Sequence, residues 1–286
     1  MLISVNSGLH SARPGKERIP MEEALAFFAD TGFEAVDINF SAVIREGELD
    51  HEPVLDGENW RERIQGLKTL AQELGLVISH SHAPFQFRYG DKEDPDYGFC
   101  REMMLRSIEA TSILGAEYIV VHPVVSGDKK KTLVRESIEA LAEYVEYGRE
   151  FGIKLAVENM SCTGVEELLE IAGGVSGAVC LDSGHANIYG MDLYQAVLEL
   201  KDRLKVLHLH DNFGKLGEGV HCDKHLPPFF GTIDWEMFVK GLREAGYQGT
   251  FNYEVNVSRI PEEAREGMAR CLVSTARALL GTGSII

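Results

Sequence analysis

The chain has 286 residues, 44% hydrophobic and 26% charged, a make-up that supports a large folded core and excludes a disordered or low-complexity chain. Its 28 lysines and arginines face 45 aspartates and glutamates, a net charge of −17. That balance repels phosphate backbones at long range and disfavours nucleic acid as a partner. No apolar run nears the roughly 20 residues of a membrane-crossing helix, so no membrane partner is expected.

The opening Met1-Leu2-Ile3-Ser4-Val5-Asn6 lacks the basic and long apolar regions of a signal peptide and reads as the start of a strand, Leu2–Ser7. Seven more short, hydrophobic strand candidates follow: Ala35–Phe40, Val77–His82, Tyr118–Pro123, Lys154–Asn159, Ala178–Asp182, Val206–Asp211 and Thr250–Val255. The intervening stretches carry apolar residues at helical spacing, as in Leu67, Leu70 and Leu74 after Trp60, or Leu133, Ile138, Leu141, Val145 and Phe151. Gly32, Gly75, Gly115, Gly152 and Gly246 stand just before strands, where a left-handed residue closes a helix. Eight such units in this length predict an α/β fold of the (β/α)8 TIM-barrel type, a single domain over residues 1–286. Neither G-x-G-x-x-G nor G-x-x-x-x-G-K-[ST] occurs, which weakens the nucleotide-binding alternatives. The five cysteines (Cys100, Cys162, Cys180, Cys222, Cys271) are scattered and odd in number, so free thiols in a reduced, cytoplasmic setting are expected.

In such a barrel the active site forms at the C-terminal strand ends, and the polar residues fall there. The third strand ends in His80-Ser81-His82, the fourth in His122-Pro123, the fifth in Glu158-Asn159, and the sixth in Asp182-Ser183-Gly184-His185. The seventh ends in His208-Leu209-His210-Asp211-Asn212 and the eighth in Glu254; Asp223 and His225 follow in the loop after the seventh. The two-residue period puts His80 with His82, and His208 with His210, on one face. Glu158 and Glu254 each follow a hydrophobic residue that would face the helices, which turns the carboxylate inward. Single histidines here are often loop residues, and Asp182 or Asp211 would serve as helix caps. Polar groups at six successive strand ends are better explained by ligation, because charges in a barrel mouth are costly to desolvate unless paired or ligating. Mixed imidazole and carboxylate suit Zn²⁺, Mn²⁺, Co²⁺ or Fe²⁺.

The segments Leu181-Asp182-Ser183-Gly184-His185, His208-Leu209-His210-Asp211 and Glu254 after Tyr247-Gln248-Gly249-Thr250 resemble the xylose-isomerase-like barrel superfamily. So does Gly231-Thr232-Ile233-Asp234-Trp235, which looks like that family's glycine-rich turn into the last helix. The superfamily contains sugar and sugar-phosphate isomerases and epimerases and endonuclease IV, and the resemblance runs from first strand to final helix. By resemblance to the tagatose- and psicose-epimerase branch, one metal would be held by Glu158, Asp182, His208 and Glu254, with the two glutamates as the acid/base pair and His185 on a substrate oxygen. By resemblance to endonuclease IV, the set would extend to His82, His122, His185, Asp223 and His225, for up to three ions. A two-residue shift between His208 and His210 preserves strand parity; His208 is preferred because Asp211 then stands where the family places an acid.

The leading expectation is a divalent-metal-dependent isomerase or epimerase of a small sugar, sugar phosphate or polyol, working by proton abstraction beside a carbonyl. The alternatives are an endonuclease IV-like phosphodiesterase and a non-catalytic sugar-binding barrel. His185, His210, Arg88, Lys224 and Arg259 are the candidate substrate contacts, with Tyr89, Phe229 and Phe230 as candidate cavity walls. Self-association into a homo-oligomer stays open.

Overall fold

The computed structural model describes residues 1–11, 19–40, 43–45, 48–50, 53–55, 57–84, 92–217, 220–258 and 260–281. Eight parallel strands form the barrel: β1 (Ile3–Asn6), β2 (Ala35–Asn39), β5 (Val77–His82), β6 (Tyr118–Val121), β7 (Lys154–Glu158), β8 (Ala178–Asp182), β9 (Leu204–His208) and β10 (Phe251–Tyr253). Their order is β10-β1-β2-β5-β6-β7-β8-β9, and a parallel bridge from Leu209 to Tyr253 joins the two ends. Between β2 and the next helix a two-stranded hairpin, β3 (Val43–Arg45) and β4 (Glu48–Asp50), is inserted; alternation of strands and helices did not anticipate it.

The outer layer consists of α2 (Met21–Thr31), α3 (Trp60–Glu73), α4 (Tyr97–Leu114), α5 (Val134–Phe151), α6 (Val165–Gly174), α8 (Leu193–Leu200), α9 (Trp235–Glu244) and α10 (Glu262–Leu280). Two short helices, α1 (Gly8–Ser11) and α7 (Ser183–Tyr189), begin within two residues of the ends of β1 and β8. Among the described residues no helix is long and apolar enough to cross a membrane. The expected closing glycines are left-handed, for example Gly32 at φ 97° and Gly115 at φ 88°. The Gly231–Trp235 turn enters α9, the penultimate helix rather than the last.

Strand alternation divides each strand between helix layer and interior. Val5, Ile38, Ile119, Val121, Leu155, Val157, Leu181, Leu207 and Phe251 are buried in the large core beneath the helices. Their neighbours in sequence turn inward, and the barrel interior they form is lopsided. On the β6–β9 side, Val120, Ala156, Ala178, Cys180 and Val206 pack as a small apolar cluster. The interior of β10, β1, β2 and β5 instead carries Asn252, Ser4, Asn6, Asp37 and His80, all buried. The metal-competent residues cap both halves.

Candidate metal centre

Glu158, the last residue of β7, is the hub. Its Oε2 lies 3.1 Å from His122 Nε2, 3.5 Å from His82 Nε2 and 3.0 Å from His208 Nδ1, and its Oε1 lies 3.5 Å from His185 Nδ1. His82 Nε2 and His122 Nε2 are themselves 3.2 Å apart. Ligands about 2.1 Å from a tetrahedral ion stand about 3.4 Å from each other, so His82, His122 and Glu158 have the spacing of a ligand set. Four residues, Glu158, Asp182, His208 and Glu254, form a second group whose ligand atoms all lie within 4.8 Å of one another. In it His208 Nδ1 is 3.2 Å from Glu254 Oε2 and yet makes no hydrogen bond. A third group forms between α7 and the loop after β9, where Asp223 Oδ2 stands 3.3 Å from both His185 Nε2 and His225 Nε2.

The backbone selects which imidazole nitrogen each histidine presents. His82 Nδ1 donates to the Ala83 carbonyl (2.8 Å), His185 Nδ1 to the Asn159 carbonyl (2.9 Å) and His225 Nδ1 to the Glu254 carbonyl (2.7 Å). Each bond leaves the Nε2 lone pair facing a carboxylate in the site, the second-shell pattern of metal-ligating histidines. Asp182 is fixed as firmly: Oδ1 accepts from the His185 backbone N–H (2.6 Å), capping α7, and Oδ2 accepts from His210 Nε2 (3.0 Å). The capping and ligand readings of Asp182 are therefore compatible.

Electrostatics fit a cation. Burial would raise the Glu158 pKa, but the facing His122 and His208 hold it well below the carboxylate range. Burial also opposes ionisation of Glu254, yet His208 brings it down to about 2. Burial disfavours charge on His185 too, and the Asp182, Asp223 and Glu158 carboxylates more than offset this and push its pKa well above the usual value. His82 Nε2 and His122 Nε2 face each other and Glu158 Oε2, an arrangement that an Nε2–H tautomer of His122 or a metal ion would satisfy. The donor set is that of a divalent transition metal.

The other predicted positions scatter. His210 is wholly buried, stacked on His225 at 3.8 Å, and supports Asp182 rather than lining an open surface. The ring lies against Gly184, where any Cβ would overlap it, which explains the glycine between Ser183 and His185. Lys224 is exposed beside the third group, whereas Arg88, Tyr89 and Arg259 lie outside the described residues. Phe229 and Phe230 do not close a cavity: they are 58% and 60% exposed. Asp211 anchors the loop instead of capping a helix, accepting from the Phe229 N–H (3.1 Å) and Trp235 Nε1 (2.9 Å). The reading of strand ends passed over Asp37, in the middle of β2; its place between Val36 and Ile38 is the alternation signal that turns it inward.

A sequence model of the xylose isomerase-like TIM barrel family matches residues 25–273. The chain belongs to that family. It is 34% identical over 183 residues to a probable endonuclease 4 from a Geobacillus species, covering 57% of this chain and 60% of that one. It is 32% identical over 202 residues to a probable endonuclease 4 from Bacillus velezensis, covering 62% and 67%. The chain spans about half to two thirds of the length of the curated relatives it matches. In fold it is similar to a D-tagatose 3-epimerase-like protein (TM-score 0.72, 22% identity, 99% of both chains). The same holds for a D-psicose 3-epimerase from Clostridium cellulolyticum H10 (TM-score 0.74, 15% identity, 98% and 99% coverage). Family and clustered ligands together make this a metal-dependent enzyme.

The relatives correct one expectation. Net charge had set nucleic acid aside in favour of a carbohydrate partner, but the sequence likeness is to proteins named as endonucleases. The summed charge misleads because it counts acids remote from the site, such as the exposed Glu136, Glu139 and Glu143 of the outer helix α5. Ions held among Glu158, Asp182, Asp223 and Glu254 would set the local field at the mouth.

Proposed function

We propose that the chain is a metal-dependent phosphodiesterase of the endonuclease 4 type, acting on nucleic acid at abasic sites. One observation carries this reading: three ligand groups adjoin one another, with Glu158 shared by the first two and His185 linking Glu158 to Asp223 of the third. Proton transfer beside a carbonyl needs one ion, and it leaves His82, His122, Asp223 and His225 without a task. Hydrolysis of a phosphodiester uses neighbouring ions on the attacking and leaving oxygens. The relatives named as endonucleases point the same way.

In this reading His82, His122 and Glu158 hold one ion, Glu158, Asp182, His208 and Glu254 a second, and His185, Asp223 and His225 a third. Bound divalent ions would lower the pKa of a water and offset the charge that builds on the phosphoryl oxygens. The chain's part is to fix the ligands. Backbone carbonyls set the tautomers of His82, His185 and His225, and Asn159 locks β7 to β8 by bonding both the N–H and the carbonyl of Asp182 (2.8 and 3.0 Å).

The test compares the zinc-loaded protein with Asp223→Asn on a duplex carrying a single abasic site, alongside solvent-deuterium exchange into a ketose pool. The expected result is incision by the parent, incision at background in the variant, and no exchange in either. Exchange without incision, undiminished in Asp223→Asn, would replace this reading with single-metal isomerisation.

A further inference from the structure

We infer that Asp37 and His80 form a positioning pair behind the metal centre, fixing the ring of His208 so that its Nδ1 faces the ligand cluster. The strand register places Asn6, Asp37 and His80 side by side on β1, β2 and β5, all pointing into the polar half of the barrel. Asp37 is fully buried, with one hydrogen bond to its Oδ2 from Asn6 Nδ2 (2.6 Å). The same oxygen lies 3.6 Å from His80 Nε2 and 3.7 Å from His208 Nε2. Asp37 Oδ1, His80 Nε2 and His208 Nε2 are buried and make no hydrogen bond, so polar atoms of all three residues converge on one spot. The His208 ring also stacks with two rings of β5, His80 at 5.7 Å and His82 at 5.5 Å between centroids.

A buried carboxylate with a single hydrogen bond costs several kcal/mol unless another charge compensates it. The compensating partner here is the outer nitrogen of a ligand histidine. A carboxylate behind a ligand imidazole keeps the proton on the far nitrogen, leaves the near nitrogen's lone pair for the ion, and raises the ligand's basicity. Asp37 stands in that relation to His208, whose near nitrogen, Nδ1, is the atom facing Glu158 and Glu254 at 3.0 and 3.2 Å. His80, with Nδ1 2.9 Å from Ser79 Oγ, directs Nε2 at Asp37 and steadies the carboxylate from the other side.

This inference rests on the chain binding metal and not on which substrate it cleaves. Its test is a cobalt(II) titration of the apo protein against a competing chelator, following visible absorption, for the parent, the isosteric Asp37→Asn and the milder His80→Gln. Asp37→Asn is expected to weaken the ion position that includes His208 by ~10- to 100-fold and alter its absorption band, with the saturating stoichiometry unchanged. His80→Gln is expected to move the same position in the same direction by less, and it carries the test if Asp37→Asn does not fold. Titrations and spectra superimposable on the parent's would overturn the proposal. So would loss of one whole metal equivalent at saturation, which would make Asp37 a ligand.

Discussion

Phe229 has a backbone φ of +72°, a region that bulky side chains avoid, while the ring is mostly exposed. Its N–H bond to Asp211 holds it in that conformation, so packing of the ring does not repay the strain. Phe229→Gly should therefore stabilise the fold by about 1 kcal/mol in urea denaturation, and a loss of stability would show that the ring packs in solution. At this scale the sequence was informative where alternation operated: Glu158, His82, His122 and Asp182 turn inward because Val157, Ser81, Val121 and Leu181 face the helices. Alternation could not choose between His208 and His210, which share a face; the choice depends on which ring meets Glu158 and which is stacked under Gly184. Asp37 escaped the reading because it lies one layer below the strand ends, where a barrel is normally filled by apolar side chains.

The loop between β9 and α9 carries Asp223 and His225 and folds around one carboxylate. Asp211 accepts from the N–H of Asn212 (2.9 Å), Phe229 (3.1 Å) and Ile233 (3.3 Å) and from Trp235 Nε1 (2.9 Å). The backbone of Asp211 also exchanges both hydrogen bonds with Leu226, at 2.7 and 2.9 Å. Asp211→Asn would present an amide N–H₂ to these donors and remove the charge that strengthens the bonds. A cost of about 2–4 kcal/mol is expected from urea denaturation. Weaker metal retention by the third group should accompany it, read by chelator challenge; unchanged stability would mean the loop is held by other contacts. Helices and strands were legible because their periods differ, and the helix-closing glycines punctuated them. The β3–β4 hairpin was not, since three-residue strands carry no readable period, and β9 begins at Leu204, two residues ahead of its apolar run.

For the whole molecule, the fold and the clustering of metal-competent residues followed from the count of strand–helix units and the polar residues at their ends, whereas the partner did not follow from net charge. A sum of −17 describes the far field, dominated by acids on the outer helices; reaction chemistry depends on a few buried groups and the ions among them. The proposed centre would draw nine side chains from six strand ends and one loop, so it would exist only when the barrel is closed. The claim that these nine act as one multinuclear centre is tested most directly by metal content per chain, measured by mass spectrometry on protein purified without chelator and reloaded with zinc. About three equivalents are expected from the three ligand groups. A single tightly held equivalent, with no further binding on reloading, would contradict it.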